Sequence, residues 1–339
     1  MGVLGVTGLT PDQLKIELDW IEREVDGAPY GVDILIPAKF VGSDEGGLEQ
    51  ADLDPLIPAE HKRFVAALLQ EHGVPPLPED QVPSSTVTFE RTAQQELIEV
   101  AFGHRIKLVA NALGPPPDWM IERAHEEGVL VAALAGKAEH AKRHVEKGVD
   151  LVVAQGYEAG GHTGELATMV LIPEVVDAVA PVPVLAAGGI ANGRQLTAAL
   201  ALGAEGVWTG SVWLTTEEAE THPVVKEKFL AAKSSDTLRS RSRSGKPARM
   251  LRSDWTDAWN DPNNPDPLPM PLQPRLIGDA WQRIERAAHK SPGAAKLVNY
   301  FVGQVVGSMN EVRSSRSVIE EMVAEYADTM ERLDRWAEG

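Results

Sequence analysis

Residues 183–214 read PVLAAGGIANGRQLTAALALGAEGVWTGSVWL. A short apolar run, Val182–Ala186, leads into Gly188 and Gly189. Gly193–Leu202 follows, with apolar residues recurring at three and four positions, and then a second short run, Gly206–Thr209, stops at Gly210 and Ser211. Helical periodicity between two short extended runs is the pattern of a strand–helix–strand crossover, which leaves its strands parallel.

The same alternation extends N-terminally to residue 100. Ile106–Ala110, Val129–Leu134 and Leu151–Gln155 read as strands, and Trp119–Glu127, Lys137–Lys147 and Ile172–Val179 as amphipathic helices. Nearer the N-terminus, Gly2–Val6 and Tyr30–Ile36 add two strands. Thr10–Val25 adds a helix with Thr10 as N-cap and Pro11 in the first helical position. Repeated βα units predict an α/β fold, a (β/α)8 TIM barrel, yet this count gives seven strands. The expectation is a barrel whose first βα unit is absent from this chain, or whose ring is closed by a segment that pattern does not reveal, because an open ring leaves two unpaired edges.

Two stretches break the rhythm. Residues 41–100 hold a helix, Glu60–Leu69, and a proline-rich loop, Gly73–Pro83, and read as an insertion after Tyr30–Ile36. Ser234–Pro274, rich in Pro, Asn, Asp, Arg and Ser, reads as an excursion or lid without a core of its own. Gly278–Ala288, Ala294–Gly303 and Arg316–Trp336 read as helices packing outside the barrel. The organisation expected is a barrel over 1–233 containing the 41–100 insertion, a lid over 234–274 and C-terminal helices over 275–339.

At 339 residues and 43% hydrophobic content the chain buries a large core, and a net charge of -18 repels phosphate backbones and anionic lipid surfaces. Nucleic acid and membranes are therefore not the expected partners. The absence of cysteine rules out disulfides, thiolate nucleophiles and Cys-held metal clusters. No signal-like N-terminus and no run approaching about 20 apolar residues is present, which reads as a cytoplasmic protein. Oligomeric state is not legible.

Ala154–Gly164, AQGYEAGGHTG, lies at the carboxyl end of a buried strand, the end at which a parallel barrel builds its active site. His162 follows two glycines that let a flat ligand approach the backbone and leave the imidazole exposed as a proton acceptor. The other histidines, His104, His125, His140, His144 and His289 among them, fit surface or core roles. The paired turns at Gly188–Gly189 and Gly210–Ser211 offer bare N–H groups to one phosphate. Neither common nucleotide fingerprint is present, nor HExxH or CxxC, so no metal-ligand set is visible. An FMN phosphate fits the 188–211 cradle. Within the excursion, Arg239, Arg241, Arg243, Lys246, Arg249 and Arg252 either attract an anionic ligand or pair with surplus carboxylates, and Trp255 and Trp259 cap the site or anchor the segment.

Together, AQGYEAGGHTG and the 183–214 stretch resemble the nitronate monooxygenase family, formerly 2-nitropropane dioxygenases, over about Gly2 to Leu214. The flavin-dependent enoyl-acyl-carrier-protein reductases share nearly the same segments. The resemblance implies that His162 is the catalytic base, that Gly160, Gly161, Gly188, Gly189, Gly210 and Ser211 hold FMN, and that Gln155 faces the flavin. Asp33 stands where the family carries a flavin-contacting asparagine, and Val212–Trp213 replace a common Arg–Phe pair after the last strand. The implied chemistry is oxidation of an alkyl nitronate by O2, releasing nitrite and a carbonyl product. The alternatives are NAD(P)H-dependent reduction of quinones or enoyl thioesters, suggested by Thr168–Met169 and the basic run, and a barrel without flavin or activity.

Overall fold

The computed structural model describes residues 1–36, 50–78 and 91–337. Positions 79–83 of the expected proline-rich loop lie outside these. Seven strands form one parallel sheet: β1 (Gly2–Gly5), β2 (Tyr30–Ile34), β3 (Leu108–Asn111), β4 (Leu130–Ala135), β5 (Leu151–Gln155), β7 (Val184–Ala187) and β8 (Gly206–Trp208), paired in that order. A two-residue strand, β6 (Gly161–His162), intervenes in the chain and belongs to a second sheet with β9 (Thr237–Ser240) and β10 (Ala248–Leu251), ordered β6-β10-β9.

The helices are α1 (Pro11–Glu24), α2 (Gln50–Leu53), α3 (Ala59–Glu71), α4 (Arg91–Phe102), α5 (Asp118–Glu126), α6 (Ala138–Glu146), α7 (Thr168–Val179) and α8 (Gly193–Ala201). Downstream come α9 (Pro223–Ala231), α10 (Asp254–Asn260), α11 (Leu272–Ala288), α12 (Pro292–Leu297) and α13 (Ser315–Ala337).

The parallel sheet is covered on both faces, which explains its nearly unbroken apolar strands. Successive side chains take opposite sides. Leu108, Ala110, Ala132, Val153 and Ala187 meet inside the curl. The alternate positions Val109, Val131 and Ala133 pack outward against Leu14, Leu18, Ile98, Met120 and Ile121 from the helices. The result is a curled, barrel-like α/β architecture in which β1 and β8 are the sheet edges and do not pair with each other among the described residues.

Local signals held where short-range chemistry dominates. Thr10 caps α1, its hydroxyl accepting from the Gln13 N–H at 3.2 Å while the Gln13 side chain accepts from the Thr10 N–H at 2.9 Å. The expected insertion contributes more than an excursion, because α4 buries Ile98 and Ala101 in the helical layer beside α1. No helix among the described residues is long and apolar enough to cross a membrane.

Residues 234–274 share in a second large core. Trp255 and Trp259 are buried with Phe229, Trp281, Ile284 and Leu297, and Trp255 meets Trp281 edge-on at 5.4 Å. These tryptophans anchor the segment rather than cap the cavity. The segment's polar composition hid this because its apolar residues are contributed singly to a core that α3, α11 and α12 complete. The helix expected over Ala294–Gly303 ends at Leu297. Val298 is extended, the buried Asn299 side chain donates to Ser253 Oγ at 2.8 Å, and Phe301 bridges to Met250.

Candidate active site

At the carboxyl ends of β2, β5, β7 and β8 lies a cavity of about 350 Å³. The histidine and every residue expected to contact FMN line it. Asp33 and Gln155 come from the ends of β2 and β5, and Gly160, Gly161 and His162 from the segment following β5. Gly188 and Gly189 follow β7, and Gly210 and Ser211 follow β8. Thr168 and Met169 do not line it. The Thr168 N–H donates to Glu158 Oε2 at 2.9 Å, and Met169 is exposed at the head of α7.

The glycine wall is constrained by backbone geometry. Gly188 has φ 95°, a left-handed conformation that penalises any side chain. At Gly160 an added Cβ would stand 2.8 Å from the backbone of Val302 and Gly303, so close approach requires its absence. At Gly210, by contrast, a Cβ would meet nothing within 4 Å, so it would project into open space. Among the described residues, the N–H groups of Gly188, Gly189, Gly210 and Ser211 enter no turn or ladder bond. Such unpaired donors, converging from two strand ends, suit an anion.

The rest of the lining carries side chains. His162 sits in β6 opposite Ala248 of β10, and its Nε2 lies 2.7 Å from Ser244 Oγ. The Ser244 hydroxyl donates to the Lys246 carbonyl at 3.1 Å, which leaves its lone pairs to accept from His162 Nε2–H. In this arrangement Nδ1 holds the imidazole lone pair. Burial, with a lesser contribution from the Lys246 ammonium, lowers the His162 pKa to about 4, so the ring is neutral at neutral pH with a lone pair free of a proton.

Sequence reasoning missed the cavity's C-terminal contributors, Tyr300, Phe301, Gly303 and Val305. Phe301 lies 6.3 Å from the His162 ring, centroid to centroid. Backbone bonds tie this segment to the rim: the Gly303 N–H donates to Ser211 Oγ at 2.8 Å and the Gln304 N–H to the Glu158 carbonyl at 2.9 Å. An aromatic pair followed by glycine, Tyr300-Phe301-Val302-Gly303, was the available signal, obscured by reading the stretch as helix.

The basic run follows neither sequence expectation as a whole. Arg243 lies 3.4 Å over the Trp281 ring and donates to the Asn299 carbonyl. Arg249 donates to the Tyr157 carbonyl, Arg239 to that of Thr163 and Arg241 to those of Gly245 and Pro267. Arg252 pairs with the Asp257 carboxylate at 2.8 Å. Four of these cations therefore brace backbone rather than face a ligand or a carboxylate. Beside the first cavity lies a second of about 650 Å³, lined in part by His222, Glu285 and Asn299, and the two share Leu214 and Tyr300.

Comparison with known proteins agrees with this architecture. The family model described as nitronate monooxygenase matches residues 1–325. A Mycobacterium tuberculosis protein provisionally named monooxygenase Rv1533 is 60% identical over 336 residues, covering 98% of this chain and 89% of that protein. The Rhodococcus jostii (3aS,4S,5R,7aS)-5-hydroxy-7a-methyl-1-oxo-octahydro-1H-indene-4-carboxyl-CoA dehydrogenase is 32% identical over 268 residues, covering 70% of this chain and 74% of that protein. Among solved structures, nitroalkane oxidase from Streptomyces ansochromogenes superposes with a TM-score of 0.79 at 24% identity, covering 98% of this chain and 89% of that one, a likeness of fold. With the match running through nearly the whole chain, this oxidoreductase belongs to the nitronate monooxygenase family.

Proposed function

We propose that the protein oxidises alkyl nitronates of the propionate 3-nitronate type with O2, releasing nitrite and a carbonyl product, and that it uses FMN. One observation carries this reading: an imidazole with a lowered pKa and two strand ends with unpaired N–H groups line the same cavity. Gly188, Gly189, Gly210 and Ser211 would hold the phosphate, with Gly160, Gly161, Gln155 and Asp33 along the remainder of the cofactor. The openness at Gly210 and the unpaired N–H groups fit such a group. FMN, when bound, supplies a redox centre that accepts electrons from the substrate and passes them to O2.

The chain's own contribution is binding, orientation and proton handling. His162 Nδ1 takes the α-proton of a neutral nitroalkane, and the Ser244 contact at Nε2 holds the ring in the tautomer this requires. A nitronate has already lost that proton, so for it His162 serves mainly to position. Phe301 and Tyr300 give that side of the cavity an aromatic surface. The test is nitrite release and O2 consumption by FMN-reconstituted protein supplied with propionate 3-nitronate. Absence of nitrite from flavin-loaded protein removes the reading.

A second reading is favoured by the Rhodococcus thioester-acting relative together with the adjoining cavity behind Leu214 and Tyr300: NAD(P)H-dependent flavin chemistry on a longer, thioester-linked substrate. Bleaching of the flavin by NAD(P)H in the absence of nitronate selects it.

A further inference from the structure

Asp33 stands apart from the rest of the cavity lining. It lies in β2 between Gly5 of β1 and Ala110 of β3, with its backbone carbonyl accepting from the Val6 N–H at 3.0 Å. Asp33 lines the cavity, and its Oδ1 is buried without a hydrogen-bond partner among the described residues. A buried ionised carboxylate lacking a cation or donors is strongly disfavoured, whereas the neutral acid loses far less on burial and gains a donor.

Among the described residues nothing charged offsets that burial. The neighbouring strand positions, Gly5 and Ala110, carry no titratable group, and the other titratable side chains lining the cavity are Tyr300 and His162. Burial alone raises the Asp33 pKa from 3.8 to about 7. We propose that Asp33 meets the bound flavin as a neutral acid, its carboxyl O–H donating to an acceptor atom of the cofactor, so that ionisation of this one side chain weakens cofactor binding. This rests on the flavin reading above. In a chain of net charge -18, a second effect acts in the same direction, because the ionised form adds repulsion in a cavity that must also take a phosphate.

The competent fraction sets the apparent affinity. For a group titrating near pH 7 that fraction falls from about nine-tenths at pH 6 to about one-tenth at pH 8, so the apparent Kd rises about tenfold. Asp33→Asn keeps a neutral donor at every pH.

The experiment is FMN titration by fluorescence quenching at pH 6, 7 and 8 for the wild type, Asp33→Asn and Asp33→Ala, with circular dichroism to confirm folding. The FMN phosphate and His162 are common to all three proteins, so their pH effects cancel in the comparison. The expected result is a Kd that rises about tenfold more in the wild type than in Asp33→Asn, with Asp33→Ala weaker than Asp33→Asn and equally free of the extra slope. Parallel profiles in wild type and Asp33→Asn would overturn the proposal while leaving the flavin reading standing. No FMN binding by any of the three would overturn both.

Discussion

The cavity's two walls are built by different physics. The wall formed by Gly188, Gly189, Gly210 and Ser211 is backbone at the ends of adjacent parallel strands, and its chemistry lies in unpaired N–H groups. The other wall, His162 with Tyr300 and Phe301, is made of side chains on an antiparallel sheet and beside a tryptophan-rich core drawn from residues far apart in the chain. The first wall responds to added bulk and the second to lost contacts. A backbone cradle suits the invariant part of a ligand, whereas a side-chain wall governs reactivity and substrate choice.

That contrast breaks most sharply at His162. Replacing it with asparagine is expected to lower the oxidation rate of neutral nitroalkanes by about 10² to 10⁴ while preformed nitronates lose far less, measured as nitrite release from each substrate form. Equal losses would mean that the ring does not act as a base. Because the free-enzyme pKa is about 4, the acid limb of kcat/KM for neutral nitroalkanes should fall near pH 4 rather than 6.5. His162 gains its proton near pH 6.5 when unfolded and only near pH 4 when folded, so its titration also lowers stability as pH falls through that window.

Asp33 gives the next largest effect, and its sign is opposite to the usual carboxylate case. Unfolded, it ionises near pH 4; folded, near pH 7, so the wild type loses stability as pH rises between those values. Asp33→Asn should therefore raise the melting temperature of the cofactor-free protein at pH 8 and much less at pH 5, with an upper bound of about 4 kcal/mol. A gain independent of pH would point to packing instead.

For the side-chain wall, Arg243→Met removes the stack on Trp281 and the bond to the Asn299 carbonyl. The expected cost is about 3 kcal/mol in denaturant unfolding, accompanied by a raised KM because the segment leading to Tyr300 and Phe301 loses its brace. On the backbone wall, Gly210→Ala adds a methyl where no atom of the chain lies within 4 Å. Its expected effect is about tenfold weaker FMN binding, or about 1.4 kcal/mol, with thermal stability unchanged. Unaltered FMN affinity would place the phosphate elsewhere.

The two walls also differed in how much their sequence disclosed. Residues 183–214 carry strand, turn, helix and glycine signals within 32 positions, so the crossover and its glycine turns were readable from local chemistry. His162 was legible through its position at a strand end. Its partner Ser244 and the aromatics Tyr300 and Phe301 were not, since they join the site through pairings 82 or more positions away, such as the contact to Ser244, and through a helix that stops at Leu297. Asp33 was visible as a residue type, but its want of a partner depends on how β1 and β3 flank it.

The pairing of His162 with Ala248 has a consequence for biosynthesis. During translation the seven strands of the parallel sheet emerge in the order in which they pair, each beside the one before it. The strand that holds His162 has no such early partner and waits for β10 to leave the ribosome. A nascent chain arrested before β10 would thus possess the strands of the sheet and its glycine turns while the histidine remained without its flanking strand, so the surroundings of His162 are completed after the scaffold.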